Sequence, residues 1–110
     1  MQFKKFYANS VVNTTQIEGD TVVVGEDVEV FTVPLNKTII VFNCEYSSTD
    51  STIVTVKQVI DNDVKFSYKI KMKENDYAGI NNKLVFNSGD KFVINAATNF
   101  LNVAVHCLEI

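Results

Sequence analysis

The chain has 110 residues, a formal net charge of -3 and 46% apolar residues. That is one domain, residues 1–110, long enough to bury roughly two-thirds of its unfolded surface and too apolar for disorder. All ten cations are lysine, and without the arginine fork an acidic chain is no reader of nucleic acid.

Residues 3–7, 11–12 and 21–24 are short mixed runs, punctuated by turn signals at Glu18-Gly19-Asp20 and Gly25-Glu26-Asp27. Residues 28–33 alternate as a strand that Pro34 ends, because proline cannot donate to a ladder. A turn follows at Leu35-Asn36-Lys37, then the strongest apolar stretch, residues 38–46. Its first half is apolar on both faces, which suits the centre of a sheet. After the polar cluster at 47–51 comes a strand over 52–60, where the Val59-Ile60 pair breaks the alternation as a bulge or strand end.

Asp61-Asn62-Asp63 reads as a compact hairpin turn. Residues 64–73 then alternate without error. Val64, Phe66, Tyr68, Ile70 and Met72 share one face, expected to be buried; Lys65, Ser67, Lys69, Lys71 and Lys73 share the other. Residues 74–82 read as a loop, 83–86 as a short strand, 87–90 as a turn and 91–96 as a strand. A turn at Thr98-Asn99 leads to a last strand from Leu101 to the end. Short strands with turns about every ten residues predict an all-β, antiparallel two-sheet β-sandwich, with jelly-roll and immunoglobulin-like orders both open.

Catalytic groups are sparse. His106 is the single histidine, and a dyad with Cys107 is disfavoured because adjacent strand residues point to opposite faces. Asp61-Asn62-Asp63 lacks the later ligands of a calcium loop, and the four glycines form no phosphate loop. No cofactor, metal site or enzymatic activity is expected. Cys44 and Cys107 match no zinc spacing and read as two buried free thiols; a disulfide between them needs an oxidising compartment that nothing in the chain indicates.

Two surface features remain. The ladder Lys65, Lys69, Lys71, Lys73 reads most simply as a solvated face that guards an edge strand. Its functional reading is a docking face for an acidic partner or a polyanion, with Glu26, Asp27 and Glu29 as carboxylates that meet it within or between subunits. Tyr77, in a polar stretch, is the one exposed aromatic anchor, while Tyr46 and Tyr68 fall on core positions. No apolar run is long enough to span a bilayer and no targeting segment is visible, so no membrane partner and a cytoplasmic origin are expected.

From Val28 onward the order of features resembles a family of small bacteriophage virion structural proteins. The residues that carry the likeness are the turn Val33-Pro34-Leu35-Asn36-Lys37-Thr38 and the apolar strand 39–46 with its polar turn 47–51. The valine-rich strand 52–60, the run Lys83-Leu84-Val85-Phe86-Asn87-Ser88-Gly89-Asp90 and the close Leu108-Glu109-Ile110 complete it. The match covers about three-quarters of the chain. Leu35 replaces the small residue usual after the proline, and residues 9–27 depart from the pattern, as an insertion or a partner-specific arm. The resemblance implies a non-enzymatic accessory protein of the capsid, collar, tail or fibre. It would be assembled in the host bacterial cytoplasm into a virion, through contacts with other virion proteins and as a homo-oligomer. The rival reading is a carbohydrate- or host-receptor-binding module that takes a host-surface glycan near Tyr77.

Overall fold

The computed structural model of the chain describes residues 1–110 and contains strands and turns only. The strands are β1 (Gln2–Asn9), β2 (Val11–Ile17), β3 (Asp20–Glu26), β4 (Val28–Thr32), β5 (Thr38–Ser48), β6 (Thr52–Ile60), β7 (Asp63–Met72), β8 (Asp76–Ile80), β9 (Leu84–Asn87), β10 (Lys91–Ala96) and β11 (Leu101–Glu109). One sheet runs β1-β11-β5-β8, with β9 also paired to β5; the other runs β4-β10-β6-β7. All pairings are antiparallel.

The first strand therefore lies beside the last, and the chain crosses between the two sheets except at β6–β7 and β8–β9, which each stay within one sheet. This is the jelly-roll order, not the immunoglobulin one. The fold is the expected antiparallel two-sheet β-sandwich. Three bulges shape it. They leave Phe42 extra on β5, Val30 extra on β4 and Lys65 extra on β7, the last opposite the Gln58/Val59 step where the alternation breaks.

The core follows from period two. Leu101, Val103, Val105 and Cys107 of β11, and Ile39, Val41, Cys44 and Tyr46 of β5, are buried and face Val54, Val56, Phe92 and Ile94 of the second sheet. At one end Phe31, Phe86 and Phe92 form a ring cluster with centroids 5.1–5.5 Å apart. Burying one such ring contributes roughly 1.5–3 kcal/mol.

The turn at residues 33–38 and the turn at 87–90 hold one another. Val33 N–H donates to Asp90 O at 3.0 Å, Gly89 N–H to Val33 O at 3.0 Å, and Ser88 Oγ to Pro34 O at 3.0 Å. Asn36 N–H donates to Ser88 Oγ at 2.6 Å, and the buried Asp90 carboxylate accepts from Asn87 N–H at 2.8 Å. Two motifs that lie about fifty residues apart in sequence (34 and 88) are thus one hydrogen-bonded corner.

Several sequence expectations are corrected. Residues 74–82 contain a strand, β8, which reads as loop because it is five residues long and carries Gly79. Backbone pairing with β5 decides it. The runs 11–12 and 21–24 extend into a hairpin, β2–β3, closed by a two-residue turn with Glu18 at φ 50° and Gly19 at φ 85°. Gly25-Glu26-Asp27 is not a turn; β3 continues through Glu26. The last turn falls on Asn99-Phe100.

The hairpin forms a separate two-stranded sheet, an arm inserted between β1 and β4. It is fastened at its base. Asn95 Nδ2 donates to Gly25 O at 3.1 Å and to Asp27 Oδ1 at 3.0 Å, and Val12 N–H donates to Asn99 Oδ1 at 2.8 Å. Lys57 Nζ meets Asp27 Oδ1 at 2.9 Å. Hydrogen bonds from Asn95 and then Lys57 hold the Asp27 carboxyl below its usual pKa. Gly25 is required here, because a Cβ at that position would overlap the Ala96 carbonyl.

Gly25→Ala is therefore expected to lift the arm from β10, at a cost of about 1–3 kcal/mol to that contact. Amide hydrogen exchange checks it: residues 11–26 should exchange faster while β5 and β11 keep their protection. Uniform loss of protection across both sheets would contradict a local anchor.

Candidate functional site

The lysine ladder sits on β7, the edge strand of its sheet. Lys69 lies opposite Thr55 and Lys71 opposite Ile53 on the outward face. Lys65, at the bulge, approaches Asp63 at 3.8 Å, whereas Lys69, Lys71 and Lys73 have no carboxylate within ion-pair distance. The expected carboxylates do not meet the ladder within the chain. Asp27 pairs with Lys57, and Glu29 with Lys91 at 3.5 Å. Sheet order explains this, because β4 and β7 are opposite edges with β10 and β6 between them.

The apolar face of β7 is only partly covered. Met72 is buried and Tyr68 and Ile70 are half-buried, but Phe66 is 45% exposed. Contrary to expectation Val64, 53% exposed, does not share this face, because the bulge at Lys65 turns it to the lysine-bearing side opposite Val59. The turn end of the β6–β7 hairpin overhangs the core. That hairpin turns on Asp61 (φ 52°) and Asn62 (φ 64°), left-handed positions that Asp and Asn tolerate. The residues that resemble the start of a calcium loop are turn residues here.

Tyr77 is exposed, as expected, but on β8 rather than a loop. It pairs with Ser47 of β5. Its side chain lies back over Gly79, 3.5–3.9 Å from the point a Cβ would occupy there. Desolvation and the neighbouring Glu45 carboxylate push its hydroxyl pKa up. Across the same outer face stands exposed Tyr7, on the row Tyr7–Ala104–Glu45–Gly79. The two tyrosines, Glu45, Ser47, Asn102 and Ala104 line a shallow depression of about 250 Å³. Sequence reading missed Tyr7 as a site residue. The signal was present: Phe3, Lys5 and Tyr7 alternate with Lys4, Phe6 and Ala8, which turn inward.

His106 and Cys107 point to opposite sides of β11. His106 Nε2 lies 3.5 Å from Glu45 Oε2 on the outer face, an ion-pair distance without hydrogen-bond geometry. Cys107 is buried in the core with Cys44, and both thiols are free. They occupy neighbouring strands but are not opposed, since Val105 faces Cys44 and Val41 faces Cys107. Burial pushes each thiol up to about 11. Nearby, the Tyr46 and Tyr68 hydroxyls meet at 3.3 Å, and Tyr46 is raised by burial first of all.

At pH 8 roughly one such thiol in a thousand is ionised. Both cysteines are expected to resist Ellman's reagent in the folded chain and to react together once it is unfolded in denaturant. Rapid labelling of the native protein would overturn this picture.

No family model and no curated protein matches this chain.

Proposed function

We propose that the chain is a non-enzymatic structural subunit of a bacteriophage virion, an accessory of the capsid, collar, tail or fibre that acts through protein–protein contacts. The observation that carries this reading is the β2–β3 arm. An isolated two-stranded hairpin is marginal in water, yet this one extends about 23 Å, seven residues of strand. It leaves Ile17 57% and Val23 50% exposed, with Val22 and Val24 also open. Such a surface fits a particle in which a neighbour covers it.

Two further points support the reading. The jelly-roll strand order recurs in viral capsid domains, a fold-level analogy. Two of the motifs that carry the family resemblance form the hydrogen-bonded corner, and the arm falls within residues 9–27, which depart from the family pattern. In this reading the partners are other virion proteins and further copies of the chain, assembled in the bacterial cytoplasm. Quantitative mass spectrometry of purified particles from the source phage is the test. A copy number in fixed proportion to the capsid or tail proteins is expected, and absence from the particles would overturn the reading.

The Tyr7–Tyr77 depression favours a second reading, a glycan- or receptor-binding module. Two ring faces beside a carboxylate, an amide and a hydroxyl offer stacking and hydrogen bonds to a sugar ring. If it holds, a glycan array returns a ligand whose affinity falls at least tenfold, about 1.4 kcal/mol, in Tyr7→Ala and Tyr77→Ala. A flat array with the folded protein would remove this second reading.

A further inference from the structure

We infer that the β2–β3 arm of one copy docks on the lysine-bearing β7 edge of a second copy. The inference rests on the assembly reading and names the partner of the arm.

Charge is segregated along this chain. Residues 9–27 hold four carboxylates, Glu18, Asp20, Glu26 and Asp27, and no lysine. Asp27 is occupied by Lys57 and Asn95 at the base, while Glu18 and Asp20 stand free at the tip of the arm. On β7 the position is reversed: Lys69 and Lys71, with Lys73 just beyond, have no carboxylate partner. Within one chain the arm leaves them unmet: it is fastened at Asn95, and neither Glu18 nor Asp20 forms an ion pair with a lysine of β7.

The two surfaces also match in form. One arm face presents Ile17, Val22 and Val24 together with Asp20, the cross-strand partner of Ile17. The outer face of β7 presents Val64 together with Lys69 and Lys71, because the bulge at Lys65 turns Val64 to the side of Val59, and the strand has a backbone edge with no strand paired to it. A strand added to that edge would bring valine beside valine and Asp20 toward the lysines on one continuous face. Like surfaces repel, since arm on arm sets carboxylate against carboxylate and β7 on β7 sets lysine against lysine. Edge lysines keep stray strands from adding to a sheet; here the same lysines admit an acidic one. Each copy is donor and acceptor at once, so the contact closes reciprocally in a dimer or head to tail in a ring.

The closing experiment reads self-association of the purified full chain by analytical ultracentrifugation, which makes it independent of whether the chain is found in particles. Wild type should associate, and association should weaken when salt rises from about 0.1 M to about 1 M and the Debye length falls from about 10 Å to about 3 Å. Lys69→Glu with Lys71→Glu, and separately Glu18→Lys with Asp20→Lys, should each raise the dissociation constant at least tenfold. All four substitutions lie on exposed positions, and circular dichroism confirms that the variants fold. An equimolar mixture of the two variants should associate again, because each arm then meets a ladder of opposite sign. A chain that stays monomeric at every concentration would overturn the inference. So would association that the charge reversals leave unchanged, or a mixture of dissociated variants that fails to reassemble.

Discussion

The register of β11 between β1 and β5 is the constraint on which the rest of the molecule depends. Every second residue from Leu101 to Cys107 is buried, so a slip of one position would turn that whole row to water. The strand is held on both sides along nearly its full length, from Gln2↔Glu109 to Asn9↔Asn102 on one side and from Leu101↔Ser48 to Glu109↔Ile39 on the other. Because β1 and β11 are the first and last strands, this pairing brings together the two ends of the chain and sets the jelly-roll order. The bulge that leaves Phe42 unopposed lets the register continue on both sides of it.

With that register set, the two sheets close over one apolar core and the molecule separates into a satisfied interior and an unsatisfied periphery. Inside, apolar side chains meet apolar side chains, and polar groups such as Tyr46 and Asp90 find partners in Tyr68 and Asn87. Outside, apolar residues stand on the arm, at the overhanging end of β7 and on the outer face of the first sheet, where Phe3 and Phe42 touch edge to face at 6.3 Å. These exposed apolar groups and the charges beside them are the observations behind the proposed assembly.

Electrostatics divides the periphery in its own way. Lysines and carboxylates near the centre of the second sheet neutralise one another, Lys57 with Asp27 and Lys91 with Glu29. The charges left over are of one sign at the tip of the arm and of the other along β7. Exposed pairs of this kind contribute little to the stability of a fold, but between molecules they steer encounter and reject wrong partners. In the proposed contact, charge selects the partner while apolar side chains supply the adhesion.

Much of this was determined by the sequence alone. Strict alternation over residues 64–73, turn residues at 18–20, 61–63 and 87–90, and abundant β-branched residues predict an all-β sandwich because period two and left-handed turn positions are local properties of the backbone. Other features exist only through contacts distant in sequence. Strand β8 is a strand because β5 hydrogen-bonds to it, Val64 leaves the face of Phe66 because a bulge at Lys65 intervenes, and Tyr7 faces Tyr77 because β11 and β5 lie between their strands. The partners of Asp27 and Glu29 were likewise decided by strand order. Alternation states which residues share a face; only the tertiary structure decides what covers that face, because coverage is set by which strands become neighbours.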